Sequence, residues 1–265
     1  MKERGEKITM TTAYDYPIAM LADKAGLDML LVGDSLGMLV LGYENPVPVT
    51  VDDIVHHTKA VVRGAKNSLI VADMPFMSYH ISPEETKRNA ARLIQEGGAD
   101  AVKLEGGKEV ASTVKSLVDV GIPVQAHIGL MPQRASVGGA FKVQAKDAAT
   151  AETILEDALA LEAAGAFSVV IEFVTAEAAK LITKNLKMPT IGIGSGPDCD
   201  GQILLSHDLL RVYEKPPPFA KLYADLNTAI TNAFTAYRED VKDSKYPADE
   251  HCIHMEKEEV KKLRD

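Results

Sequence analysis

The sequence predicts an α/β protein, a single (β/α)8 barrel of the TIM type with a C-terminal helical extension. Three observations carry that expectation. Eight short apolar runs recur with helical stretches between them. The runs are close to continuously apolar rather than alternating, as parallel strands covered by helices should be. The chain has 265 residues, close to the ~250 that such a barrel needs.

The eight runs are "ITMTTAYD", "LDMLLVGDS", "SLIVADMP", "AVKLEGG", "PVQAHIGL", "SVVIEFV", "PTIGIGSG" and, least clearly, "QILLSHD". Between them the helices carry start and stop signals. Thr50 opens one whose apolar positions Ile54, Val55, Thr58, Val61, Val62 and Ala65 fall on one face at helical spacing, with His56 on the outer face. In "SPEE", Ser82 caps, Pro83 suits the first helical position and Glu85 completes a capping box. Glycine ends a helix just before a strand in "KAGLDMLLV", "EGGADAVKL", "DVGIPVQAH" and "EAAGAFSVV", where a left-handed residue is needed. A long helix is expected from Phe219 to about Asp243, followed by a tail ending in a charged helix. No low-complexity linker divides the chain, so residues 1–265 read as one domain with 219–265 as its extension.

Composition narrows the function. The net charge of −9 does not suit a nucleic-acid surface. Cys199 and Cys252 form neither a disulfide framework nor a metal-binding spacing. "MKERGEKITM" lacks an apolar core of the signal-peptide kind, and no later segment offers ~18 uninterrupted apolar residues. A cytoplasmic protein with no membrane partner is expected.

Chemistry in such barrels projects from the C-terminal ends of the strands. Here those ends carry Asp34 and Ser35, Asp73, Lys103 and Glu105, His127, and Glu172. Taken singly, each has a structural explanation: a cap, a turn before Pro75, an ion pair between residues two apart on a strand, a packed histidine. Taken together, five strand ends would bury several ionisable groups at one mouth, which is costly unless they are paired or bind a ligand. Asp34 and Asp73 with Glu105 make a hard-oxygen set suited to Mg²⁺. Lys103 offers a charge for a substrate carboxylate. Glu172, set among Val169, Val170, Ile171 and Phe173, fits a general base. A metal that chelates a 2-oxo acid acidifies the adjacent C–H, so these parts suit enolate formation. "GIGSGPDCDGQ" is a weak phosphate-loop signal, lacking a Walker lysine and the full dinucleotide pattern. His56 and His57 read as surface or packing residues.

At these residues the chain resembles the ketopantoate hydroxymethyltransferase family. The resemblance runs from about Lys7 to His207 through "TTAYDYPIA", "LVGDSLGM", "VTVDDIVHHTKAVVRGA", "VADMPFMSY", "VKLEGG", "AHIGLMPQ", "FKVQ", "ALALEAAGA" and "GIGSGPDCDGQILLSHD", in that order. It implies a (β/α)8 enzyme using Mg²⁺ and 5,10-methylenetetrahydrofolate to hydroxymethylate 3-methyl-2-oxobutanoate, giving 2-dehydropantoate in pantothenate biosynthesis. It implies that Asp34 and Asp73 hold the metal and that Glu105 supports it through water. Ser35 and Lys103 would bind the 2-oxo acid, and Glu172 would remove the C3 proton. His127 is a supporting candidate. A homodecamer is implied as well.

The chain departs from the family pattern where Ala126, Met131, Ala140 and Ala145 replace Gly, Thr, Gly and Gly. If those glycines serve a close approach or a positive φ, folate binding or loop closure is where the effect would fall. Pro218 stands where a basic residue is usual, and "EHCI" replaces a terminal Glu-His-Ser-aromatic pattern. Little of the helix that commonly precedes the first strand is present. Two other readings compete: a Mg²⁺-dependent lyase of the isocitrate lyase and phosphoenolpyruvate mutase type, and a non-catalytic 2-oxo acid binder. Those lyases often carry a Cys-Gly-His loop, and neither cysteine here is followed by Gly-His.

Overall fold

The computed structural model describes residues 1–138 and 142–263. It falls into two units, Met1–Ser206 and His207–Asp265. In the first, eight strands close into a barrel in sequence order: β1 (Ile8–Thr12), β2 (Met29–Val32), β3 (Leu69–Asp73), β4 (Ala101–Glu105), β5 (Val124–Gly129), β6 (Ser168–Glu172), β7 (Thr190–Ile193) and β8 (Gly201–Leu204). Each strand pairs in parallel with the next, and β8 returns to β1. All eight apolar runs are strands, including the eighth.

The helices are α1 (Tyr16–Lys24), α2 (Leu36–Leu39), α3 (Val51–Gly64), α4 (Pro83–Gln95), α5 (Ala111–Val118), α6 (Pro132–Gly138), α7 (Ala148–Ala163), α8 (Ala176–Asn185), α9 (Ser206–Leu209), α10 (Leu226–Lys242) and α11 (Lys257–Val260). None is long and apolar enough to cross a membrane.

Local chemistry sets the boundaries. Thr50 caps α3 in a full capping box with Asp53, and Ile54, Val55, Thr58 and Val61 are buried along one face while His56 is exposed. Ser82 caps α4 by accepting from the Glu85 N–H, but the expected return bond from the Glu85 carboxylate is not formed. The four helix-stopping glycines, Gly26, Gly98, Gly121 and Gly165, take φ from +82° to +95°, as the pattern requires. Ala145 also takes a positive φ, +54°, with its methyl buried. A position where the family pattern has glycine therefore keeps the glycine-like backbone here. Ala140 lies outside the described residues.

Two apolar layers follow from the alternation of strand side chains. Ile8, Met10, Met29, Leu31, Val71, Ala101, Val170, Ile191, Ile193 and Ile203 fill the barrel interior. Leu30, Val32, Ala72, Val102, Leu104, Ala126, Val169 and Ile171 pack outward with helix residues such as Ile54, Leu93, Leu117, Leu161 and Ile182. Ala126 thus belongs to the layer between sheet and helices, on the face opposite to its neighbours Gln125 and His127.

In the second unit the long helix begins at Leu226, seven residues later than the expected Phe219. Asp225 accepts the Thr228 N–H and so fixes the start there. The preceding "KPPPFAK" holds three prolines, which disfavour the helical conformation in the residue before each of them. Lys257–Val260 forms the short charged helix of the tail.

Candidate active site

Strand register brings the predicted residues together. Asp73 at the end of β3 is aligned with Lys103 in β4, Glu105 with His127 in β5, and Gly129 with Glu172 in β6. Asp34 follows β2, and its N–H donates to Asp73 Oδ2 at 3.1 Å. The close turn there depends on Gly33, where a Cβ would lie 2.9 Å from Ser35 Oγ. Lys103 Nζ forms an ion pair with Asp73 Oδ1 inside the barrel, where both side chains are buried. Asp34, Asp73, Lys103, Glu105 and His127 are all buried, whereas the Glu172 side chain is 20 % exposed.

His127 lies between two carboxylates. Its Nε2 is 3.1 Å from Glu172 Oε2 and its Nδ1 is 3.9 Å from Glu105 Oε2. Neither contact has hydrogen-bond geometry, so both ring nitrogens are buried without a formed hydrogen bond. Glu105 Oε1 accepts the Arg134 N–H at 3.3 Å from the first turn of α6. Ser35 does not cap α2; its Oγ pairs with Tyr14 Oη at 2.9 Å.

The charge balance is lopsided. Burial, reinforced by the charge of Asp73, pushes Asp34 well above the usual carboxylate range, against the pull of Lys103. Burial and then Asp34 push Glu105 up to about 8. Burial works against the charge on Lys103, but Asp73 and Asp34 outweigh it and raise its pKa. Four acidic side chains thus face one ammonium group, and a further cation would pull the raised titrations of Asp34 and Glu105 back down.

Among the described residues no three His, Cys, Asp or Glu side chains are grouped closely enough to hold an ion together. The oxygens available are the two aspartates, with Glu105 farther off. Asp73 Oδ1 is buried and has no hydrogen bond, only the ion pair with Lys103. Two carboxylates plus open positions fit Mg²⁺, which takes few protein oxygens and keeps water or substrate for the rest. A second cation would also offset the excess negative charge.

Three polar residues complete the site that the strand-end pattern did not single out. Gln133 in α6, 2 % exposed, donates from Nε2 to Asp34 Oδ2 at 2.8 Å and to Met74 O at 3.1 Å. Tyr79 Oη is 2.9 Å from Gln133 Oε1 and 3.1 Å from Glu105 O. Tyr14 holds Ser35. All three fall inside quoted family motifs, but as uncharged side chains on loops and a helix start they carried no signal of their own. The "GIGSGPDCDGQ" segment shows close backbone packing: a Cβ at Gly196 would lie 2.6 Å from Ala176 Cβ. His57 Nδ1 contacts Tyr14 O at 2.6 Å, a packing role, while Cys199 and Cys252 are free thiols.

A closed parallel barrel that gathers buried acids, a lysine and a histidine at the C-terminal ends of adjacent strands defines a TIM-barrel enzyme. A family model described as ketopantoate hydroxymethyltransferase matches residues 1–249. A "3-methyl-2-oxobutanoate hydroxymethyltransferase" of Moorella thermoacetica is 56% identical over 254 residues, 96% of this chain and 94% of the relative. One of the same name from Carboxydothermus hydrogenoformans is 53% identical over 264 residues, covering 99% and 96%. Among solved structures, "2,3-dimethylmalate lyase, a PEP mutase/isocitrate lyase superfamily member" superposes with a TM-score of 0.60 at 15% identity, covering 98% of this chain and 90% of that one. That likeness shows a shared fold.

The chain belongs to the ketopantoate hydroxymethyltransferase family. It is an enzyme, a hydroxymethyltransferase of pantothenate biosynthesis. The lyase alternative shares the fold with it and not the activity.

Proposed function

We propose that the mouth of the barrel converts 3-methyl-2-oxobutanoate and 5,10-methylenetetrahydrofolate into 2-dehydropantoate, with Mg²⁺ held by Asp34 and Asp73 and assisted through water by Glu105. The observation that carries the proposal is the pairing of two clusters at one mouth. Asp34, Asp73 and Lys103 form one, and Glu105, His127 and Glu172 the other. When bound, Mg²⁺ supplies positive charge that stabilises the enolate of the 2-oxo acid.

The residues of the chain do the rest. Lys103 binds and orients the substrate carboxylate, and Ser35, steadied by Tyr14, donates to its oxygen atoms. Glu172 takes the C3 proton on its carboxylate. His127, with Nε2 3.1 Å from Glu172 Oε2, packs beside that carboxylate and limits where it can swing. Water releases the one-carbon unit from methylenetetrahydrofolate at the oxidation level of formaldehyde, with tetrahydrofolate as the leaving group; the C3 carbanion adds to that carbon, and the alkoxide formed takes up a proton to become the hydroxymethyl group. The folate follows from the family; the barrel residues account for the 2-oxo acid. From the resemblance we infer a homodecamer; from the cysteine usage and the apolar patterning we place the protein in the cytoplasm, and from the absence of a low-complexity linker we read 219–265 as an extension of one barrel domain. Sedimentation velocity checks the assembly.

The test is proton exchange. With Mg²⁺ and 3-methyl-2-oxobutanoate in D₂O, NMR should show exchange at C3 without folate, and 2-dehydropantoate once methylenetetrahydrofolate is added. Glu172→Gln should lose both by about 10²–10⁴-fold, the usual contribution of a general base. No exchange in the Mg²⁺-loaded wild type would sink the enolate mechanism. Exchange without product would leave a 2-oxo acid binder that cannot use folate.

A further inference from the structure

Gln133 is buried beside Asp34, and its amide can sit in only one orientation. Nε2 faces Met74 O at 3.1 Å, which only accepts, and Asp34 Oδ2 at 2.8 Å, which only accepts in the ionised form that would hold a cation. Oε1 faces the Tyr79 hydroxyl at 2.9 Å. A flipped amide would set Oε1 against Met74 O and the ionised Asp34 carboxylate, leaving those buried oxygens without a donor. Tyr79 Oη is also within 3.1 Å of Glu105 O, so the hydroxyl is tethered to β4 as well.

From this geometry we infer that Tyr79 and Gln133 form a clamp that fixes the rotation of the Asp34 carboxylate, and that they act as positioning residues for the metal site. The inference rests on the reading that Asp34 is a metal ligand. The clamp engages one carboxylate oxygen, Oδ2, and the N–H of Asp34 is anchored separately on Asp73 Oδ2. Backbone and side chain of Asp34 are therefore held by two different elements, the end of β3 through Asp73 and the start of α6 through Gln133. Tyr79 contributes by aiming the amide; it touches neither aspartate by any hydrogen bond. A ligand whose carboxylate is held in this way loses less rotational freedom on binding a cation, and removal of such outer partners typically costs ~10–100-fold in metal affinity.

The roles differ, and a double-mutant cycle separates them. Mn²⁺ binding to the full-length protein, read by electron paramagnetic resonance without substrate, is the readout, with urea unfolding run alongside. Gln133→Leu should weaken Mn²⁺ binding ~10–100-fold, and Tyr79→Phe by less. The double variant should be no weaker than Gln133→Leu, because Tyr79 acts through Gln133. Additive losses would overturn the clamp, as would lowered unfolding midpoints with Mn²⁺ affinity within twofold of wild type. Asp34→Asn tells the two readings apart. Mn²⁺ binding that is lost in Asp34→Asn but kept in Gln133→Leu refutes the clamp alone. A wild type that takes up no Mn²⁺ refutes the clamp and the metal reading together.

Discussion

Gly129 ends β5 in register with Glu172, and its replacement by alanine isolates the placement of that carboxylate. Its φ is +92°, and a Cβ built there would lie 2.3 Å from Glu172 O and 2.7 Å from Val174 Cγ2. Real Cβ atoms do not approach closer than 3.0 Å, so the Glu172 carbonyl must retreat by the difference between 3.0 and 2.3 Å, about 0.7 Å. That carbonyl also accepts the Leu130 N–H at 2.8 Å, so the obstacle is strand backbone rather than the end of a flexible side chain. The displacement is carried to the Glu172 carboxylate and to its 3.1 Å contact with His127. A misplacement of ~1 Å at a reacting group costs on the order of 100-fold in rate.

Gly121, in the turn that leads into β5, supplies the control. Its φ is +87°, and nothing lies within 4 Å of the Cβ it lacks. Gly121→Ala therefore incurs only the left-handed strain, about 1–2 kcal/mol. Gly129→Ala incurs the same strain plus overpacking of about 1–3 kcal/mol. Urea unfolding should rank the two in that order. In the D₂O assay, Gly121→Ala should exchange the C3 proton at the wild-type rate, and Gly129→Ala about 100-fold more slowly. A folded Gly129→Ala with wild-type exchange would refute the link between this backbone contact and the base.

Asp23 accepts from the Ser68 and Asn67 N–H groups at 2.8 Å each, and these bonds hold its carboxyl well below the usual range. A lowered folded pKa gives stability that is complete above the unfolded value of ~3.9 and is lost as pH falls toward the folded value. The urea midpoint of Asp23→Ala should therefore trail wild type at pH 5, with the gap narrowing steadily toward pH 2; a gap independent of pH would refute the assignment. Met131 O accepts the Ala135 N–H at 2.9 Å ahead of Pro132, which makes it the cap of α6, yet its side chain cannot accept from the first-turn amides. Met131→Thr should raise stability in urea by about 1 kcal/mol.

The barrel was legible because its strands are buried on both faces, so each reads as a nearly continuous apolar run, and four of the eight follow a glycine that stops the preceding helix. The site was legible for a related reason. In a run such as "LIVAD" the charge stands out at the strand end, and parallel register then aligns Asp73 with Lys103 and Glu105 with His127. Gln133 and Tyr79 gave no such contrast, since an uncharged polar residue at a helix start or in a loop has many ordinary roles. The start of α10 was set by the side chain of Asp225, a local bond that apolar spacing does not reveal. The Glu85 half of the α4 capping box was expected from spacing alone, and a carboxylate free in water need not fold back to make it. Ala145 is the reverse case: its left-handed backbone was foreshadowed by the family pattern, although alanine itself disfavours it.

The site's charge argues against a structural origin. A buried ion pair can often be replaced by apolar packing at no loss of stability, so a mouth shaped for stability alone would balance its charges or dispense with them. Asp73 has Lys103, and Asp34 has the Gln133 amide, but neither Glu105 nor Glu172 is given a cation of its own; His127 stands between them without a formed hydrogen bond. Burial first, and repulsion between the neighbouring acids after it, hold Asp34 and Glu105 above their ordinary titration range; on the proposed function, a divalent ion near Asp34 and Asp73 and a proton taken up on Glu172 would relieve that repulsion. On that reading the same charge imbalance favours both a bound cation and a proton acceptor, the two requirements for making a carbon nucleophile from a 2-oxo acid.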